Sequence, residues 1–274
     1  MSILFIGGGN MASAIAGGLV ARGRAAREIA IVDPVDAQRA KLEGALPGVR
    51  TFAAVSADAV AGATLVVLAV KPQQMREACT ALSPHVDRIP TVLSIAAGTR
   101  SSDISRWLRG YARIVRAMPD TPSLVGAGIA GLWASPAVDA AGRASAIAVL
   151  EACGGVVPVE REEALDAVTG ISASGVAYVF YFIEALEAAA RSHGFDAADA
   201  RKLAYATFDG AVKLALASSE DPATLRARVT SKGGTTERGI AALEAARVRE
   251  AIAAAVDAAT ARATEMGAIL GRDD

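Results

Sequence analysis

The sequence predicts an α/β fold for residues 1–160, a doubly wound sheet of mostly parallel strands, followed by an all-helical C-terminal domain over residues 161–274. Three observations predict it. Short, unbroken apolar runs alternate with amphipathic stretches through the first half, as parallel strands buried on both faces do. A turn of three glycines, Gly7-Gly8-Gly9, joins the first apolar run to the first helical pattern. From Glu162 onward the strand-like runs stop and nearly everything carries helical periodicity.

The elements follow in order. Ile3–Ile6 reads as a strand, Met11–Arg22 as a helix ended by Gly23, and Ile29–Val32 as a second strand. Thr64–Val70, Thr91–Ile95 and Ile114–Met118 read as the next three, and Val156–Val159, after Gly154-Gly155, as the last. In the helical part, Val176–Ile183 is apolar at every position. A helix apolar on all sides must be buried on all sides. Either its own domain wraps it or a second copy covers it. The C-terminal segment has little material for wrapping, so a homodimer built through this domain is the expectation.

Composition narrows the function classes. The 274 residues suit two ordinary domains. The formal net charge is -1, so no electrostatic reason exists to expect nucleic acid or an anionic membrane as partner. Cys79 and Cys153 are the only cysteines and form no CxxC pattern, and His85 and His193 are the only histidines. No metal site, disulfide framework or His-based triad is expected from them. Ile3–Val20 is apolar, but no Lys or Arg precedes it and glycines interrupt it, which argues against a signal peptide. No unbroken apolar stretch of about 18–20 residues predicts a membrane span. A cytoplasmic protein is expected.

The run Gly7-Gly8-Gly9-Asn10-Met11-Ala12 fits G-x-G-x-x-A between a strand and a helix. Gly7 permits the tight turn, Gly9 lets backbone approach a pyrophosphate, and Ala12 lets the helix pack close to the strand. The helix N-terminus then offers free N–H groups and the positive end of its dipole to phosphates. Asp33 ends the second strand, where a carboxylate accepts from ribose hydroxyls; it also suits an N-cap, since Pro34 follows. Ala69-Val70-Lys71-Pro72 and Ala96-Ala97-Gly98 end the third and fourth strands with small residues, against which a flat ring can lie.

The second dense motif is Val229-Thr230-Ser231-Lys232-Gly233-Gly234-Thr235-Thr236. Two glycines free backbone N–H groups for an anion-binding concavity, four hydroxyls surround them, and a helix follows. The loop suits a carboxylate plus one donor to a neighbouring atom. It equally suits a hydroxyl-rich N-cap formed by Thr235 or Thr236 with Glu237.

Taken together, these motifs resemble the pyrroline-5-carboxylate reductase family over essentially the full chain. The matching pieces come in the family's order: FIGGGNMA at Phe5–Ala12, AVKPQ at Ala69–Gln73, R-x-M-P-x-T-P at Arg116–Pro122, DAVTGIS at Asp166–Ser172, and the segment Pro222–Glu244 with VTSKGGTT. The resemblance implies a Rossmann-type N-domain, an interlocked C-domain dimer whose active sites borrow from both chains, and assemblies of dimers whose number it leaves open. It implies that NADPH or NADH is held by Gly7 to Ala12, by Ala69 to Pro72 and by Ala96 to Gly98. It further implies that Ser231, Gly233, Gly234, Thr235 and Thr236 hold the substrate, with the Thr236 hydroxyl beside the ring nitrogen. Thr236 is accordingly the catalytic candidate, as an orienting group.

Four departures stand out. Ser172-Ala173-Ser174-Gly175-Val176-Ala177 replaces the usual S-G-S-G-P-A, Asp120 replaces an asparagine, and Ser56 stands where many members carry an asparagine near the adenosine. Asp33 occupies a place where NADPH users often have a small polar or basic residue, so NADH is expected to serve at least as well as NADPH. A hydroxyacid dehydrogenase of similar layout needs a lysine on the first long C-domain helix, and Ser174–Ser192 has none. Another imine reductase, or a non-catalytic dinucleotide sensor, remains as an alternative; a sensor has no need of the Ser231–Thr236 loop.

Overall fold

The computed structural model describes residues 2–271. The chain runs β1 (Ser2–Ile6), α1 (Asn10–Ala21), β2 (Ile29–Val32), α2 (Asp36–Ala45), β3 (Arg50–Phe52), α3 (Ala57–Val60), β4 (Ala63–Leu68), α4 (Met75–Leu82), β5 (Val92–Ser94), α5 (Ser101–Trp107), β6 (Ile114–Pro119), β7 (Gly128–Ala134), α6 (Ala140–Glu151) and β8 (Gly154–Pro158). The strands form one sheet in the order β3-β2-β1-β4-β5-β6-β7-β8. Neighbours are parallel except β6 and β7, which are antiparallel. The chain order reverses between β1 and β4, and that reversal opens the crevice where doubly wound sheets bind ligands.

Two apolar cores explain why the strands read as continuous apolar runs. Ile3, Phe5, Ile29, Ile31, Leu65 and Val67 point to one face, against Ile15 and Leu19 of α1 and Val149 and Leu150 of α6. Leu4, Ile6, Val32, Val66 and Leu68 point to the other, against Met75, Cys79 and Leu82 of α4 and Ile104 of α5. Alternate residues face opposite sides of a strand, and here both sides are covered. Both cysteines are buried and free. Burial pushes the Cys79 thiol up to about 12, so it stays protonated and inert.

Two strands were not read from the sequence. β3 is a short edge strand with a single large apolar side chain, ordered by pairing with β2. β7 is rich in glycine because its neighbours press on it: a Cβ at Gly131 would lie 2.8 Å from Val168 Cγ2.

Beyond β8 the chain is helical, as expected: α7 (Ala164–Val168), a π-turn at Thr169–Ala173, α8 (Gly175–Ser192), α9 (Ala197–Leu216), α10 (Pro222–Arg228), α11 (Thr235–Ala245) and α12 (Val248–Leu270). Two compact units result. One comprises the chain through Ala173 and again from Asp257; the other is Ser174–Val256. This division differs from the one drawn at residues 160/161. Leu165 and Val168 of α7 pack on Gly131 of β7, and Thr264 of α12 donates to Asp166 Oδ2 at 2.9 Å, so both segments join the sheet unit.

Within the second unit, α8 packs along α9 yet buries none of its own residues. Phe180 is 57% and Tyr181 71% exposed. The helical unit therefore does not wrap this apolar helix. The helical run Ala164–Ser192 is long and apolar enough to cross a membrane by length and composition alone.

Candidate active site

The sheet unit carries the glycine turn at the crevice between β1 and β4. Gly7 has φ +96°, and its N–H donates to Val32 O at 2.8 Å. A Cβ there would lie 2.6 Å from Ala69 O and 3.0 Å from Val70 Cγ1. Only glycine fits, and the turn lies directly against Ala69-Val70. Gly9 is the N-cap of α1 and has no side-chain cap; nothing lies within 4 Å of where its Cβ would be. Its open face leaves room for a diphosphate before the first-turn N–H groups of α1, at Asn10 and Met11. Ala12 is fully buried against the sheet, as close packing requires.

Asp33 has a role that sequence reasoning missed. Its Oδ2 accepts from the Gly8 N–H at 2.9 Å, and its Oδ1 accepts from Val35 N at 3.0 Å. Helix α2 starts later, at Asp36, with Val35 as its N-cap, so Asp33 does not cap it. It braces the glycine turn instead. Gln38 Nε2 donates to Gly8 O at 2.5 Å from the other side. Arg39 donates to Asp33 O at 2.7 Å and pairs with Asp36, which places a guanidinium beside this carboxylate's backbone.

The other expected cofactor residues divide by role. Ser56 caps α3, its Oγ accepting from Ala59 N at 3.2 Å. Lys71 is exposed, and Pro72 opens a 3-10 turn at the end of β4. Ala96 is buried, Ala97 is half-buried, and Gly98 has φ +77°. A Cβ on Gly98 would lie 3.1 Å from Leu270 Cδ1, so its smallness serves the seating of α12.

Behind these turns lies a buried ionic group with no sequence signal beyond the residue types. Glu162 Oε1 accepts from Arg116 Nη1 at 2.7 Å and from Ser101 N at 2.6 Å, and its Oε2 accepts from Ser101 Oγ at 2.5 Å. Burial pushes the Glu162 carboxyl up, but the Ser101 bonds and Arg116 more than compensate and hold it below its ordinary value. Burial, and to a lesser extent the like charge of Arg100, lowers the Arg116 guanidinium against the opposing pull of Glu162, and it nevertheless stays charged. Arg100 pairs with Asp166 at 2.5 Å beside it. Asp120, at the end of β6, is buried; its Oδ1 accepts from Ile129 N at 3.0 Å and its Oδ2 from Ser172 Oγ at 3.0 Å. A carboxylate thus ties β7 and the π-turn to the end of β6, accepting on both oxygens where an asparagine has only one.

The helical unit carries the hydroxyl-rich loop. Gly233 has φ +74°, the conformation that turns backbone N–H groups into a concavity. Gly234 N donates to Ser231 O at 3.0 Å. Gly234, not a threonine, is the N-cap of α11, and no side chain caps it. The hydroxyl-cap reading of Thr235 and Thr236 therefore does not describe the loop. Ser231, Thr235 and Thr236 are all exposed at the start of an eleven-residue helix.

An open glycine turn at the order reversal of a doubly wound sheet is the arrangement of a dinucleotide-binding protein. Residues 2–98 match the family model described as NADP oxidoreductase, coenzyme F420-dependent, and residues 162–266 match the one described as pyrroline-5-carboxylate reductase dimerisation. The pyrroline-5-carboxylate reductase of Pseudomonas aeruginosa is 40% identical over 272 residues, covering 98% of each chain. A solved pyrroline-5-carboxylate reductase from Coxiella burnetii has a TM-score of 0.93 at 38% identity, covering 97% of this chain and 98% of that one. A pyrroline carboxylate reductase from Plasmodium falciparum, solved with NADP bound, covers the same shares with a TM-score of 0.83 at 24% identity, a likeness of fold. The chain belongs to the pyrroline-5-carboxylate reductase family.

Proposed function

We infer that this chain is the NAD(P)H-dependent reductase that converts 1-pyrroline-5-carboxylate to L-proline, the last step of proline biosynthesis. The observation that carries the reading is 40% identity along 98% of the chain to a reductase of that name. The loop Ser231–Thr236 supports it, since its exposed hydroxyls are not spent on capping. Loss of NAD(P)H absorbance on adding 1-pyrroline-5-carboxylate tests it; no turnover with either cofactor overturns it.

Bound NAD(P)H would supply the hydride that turns the C=N bond of the protonated imine into a secondary amine, leaving the cofactor oxidised. Residues Gly7 to Ala12, with Ala69 to Pro72 and Ala96 to Gly98, are proposed to hold the cofactor. Ser231, Gly233, Gly234 and Thr235 are proposed to hold the substrate carboxylate through backbone N–H groups and hydroxyls. Thr236 keeps the ring nitrogen in one pose. A protonated imine already accepts hydride readily, so holding it in register supplies much of the acceleration, on the order of several kcal/mol. The hydroxyl orients rather than acts as a strong acid, because its pKa lies far above neutrality.

The segment 161–274 is proposed as the substrate and dimerisation domain, in a cytoplasmic homodimer with interlocked helical domains. The apolar run that suits a membrane by composition lies wholly inside the matched dimerisation region, so a second subunit is its proposed cover. Replacing Phe180 and Tyr181 together by glutamate is expected to convert dimer to monomer and abolish activity. Light scattering reads the outcome; an active dimer of the double variant removes this interface.

NADH is proposed to serve at least as well as NADPH. Asp33 is fixed to Gly8 at the end of β2, and a 2'-phosphate there meets its negative charge, a repulsion on the order of 1 kcal/mol in a watery medium at about 4 Å. Asp33→Ser is expected to shift the kcat/KM ratio toward NADPH. It also removes the brace on Gly8, so KM for both cofactors is expected to rise. A wild-type enzyme favouring NADPH more than tenfold, unchanged in the variant, refutes the assignment.

A further inference from the structure

The proposed substrate loop already holds an anion of its own. In a capping box, the glutamate at the third helical position reaches back to the N-cap N–H. Here the N-cap is Gly234, whose N–H is given to Ser231 O at 3.0 Å. Glu237 reaches one residue further, and its Oε2 accepts from the Gly233 N–H at 2.8 Å. A carboxylate thus occupies one donor of the concavity that, on the function inferred above, receives the carboxylate of the imine. Glu237 is exposed, so its side chain is free to turn out into water.

We propose that Glu237 is a specificity-determining residue: it competes with the substrate carboxylate for the Gly233 N–H and sets how strongly a carboxylated ring imine is favoured over an uncarboxylated one. The first-turn N–H groups of α11 remain as donors for the incoming carboxylate, because a helix start leaves them without intrahelical acceptors. That carboxylate arrives beside a like charge. Glu237 either leaves, losing a charge-assisted bond, or stays and repels. An uncarboxylated imine meets neither cost. The same competition helps expel the carboxylate of L-proline after reduction. The proposal rests on reading Ser231–Thr236 as the substrate loop.

Glu237→Gln separates competition from simple bracing of the loop, because glutamine keeps the acceptor oxygen and the side-chain length and loses only the charge. kcat/KM is measured for 1-pyrroline-5-carboxylate and for 1-pyrroline, the same ring without the carboxylate. The ratio of the two is expected to rise about three- to tenfold in the variant, the size of one screened like-charge contact. The dissociation constant of L-proline, titrated calorimetrically into enzyme saturated with oxidised cofactor, is expected to fall by the same factor. A ratio and a dissociation constant equal to wild type mean that Glu237 only braces the loop, and a lowered ratio means that it aids binding; either overturns the proposal. Wild-type enzyme that does not turn over 1-pyrroline-5-carboxylate overturns the function instead, while the L-proline titration still reads Glu237.

Discussion

Thr236→Ala is expected to lower kcat by roughly a hundredfold or more, the size of losing a group that keeps the reacting atoms in register. Cofactor binding is expected to stay nearly intact, because none of the residues proposed to hold the cofactor belongs to the Ser231–Thr236 loop. The loop itself should survive the change. Gly234 caps the helix without help from a side chain, and Gly233 with Glu237 holds the approach. Stopped-flow reduction at saturating substrate, with cofactor affinity from fluorescence, checks both parts. A variant that turns over like wild type shows that the ring nitrogen is held elsewhere.

The second large effect is on stability. Glu162→Ala is expected to cost about 3–5 kcal/mol, because it leaves the Arg116 charge buried without its partner. Arg116 is 3% exposed, and its Nε has no hydrogen-bond partner, so Glu162 is its main compensation. The same alanine also removes two bonds to Ser101, at the start of α5. Urea denaturation of variant and wild type reads the difference, and a loss below about 1 kcal/mol refutes the assigned role. A pH dependence follows. The folded Glu162 carboxyl lies below its ordinary value, so its contribution is fully present above that value. It is lost as the pH falls through the lowered folded value. Wild type should therefore lose stability more steeply than the alanine variant under acid conditions.

Much of the fold was legible in the sequence. The apolar runs Ile3–Ile6, Ile29–Val32 and Leu65–Leu68 required cover on both faces, and α1, α4, α5 and α6 supply it. The glycine turn was legible because its demands are local: a left-handed residue at Gly7 and an unobstructed face at Gly9 follow from glycine alone. The unbroken apolar run in α8 likewise announced itself, since no solvated arrangement suits it.

What the sequence by itself determined was whatever depends on neighbours along the chain: strand and helix periods, the two loops whose glycines permit special backbone, and the family those motifs name. Only the tertiary structure decided the long-range pairings. Asp33 braces Gly8 rather than capping α2, Gly98 makes room for Leu270, and Glu162 neutralises Arg116. β3 and β7 became strands through their neighbours and not through their own composition. The physical reason is that a buried charge or a bare glycine is explained by the atom facing it, and that atom is 25 residues away for Asp33, 46 for Glu162 and at the end of α12 for Gly98. Periodicity carries no information about such partners, which folding alone brings together.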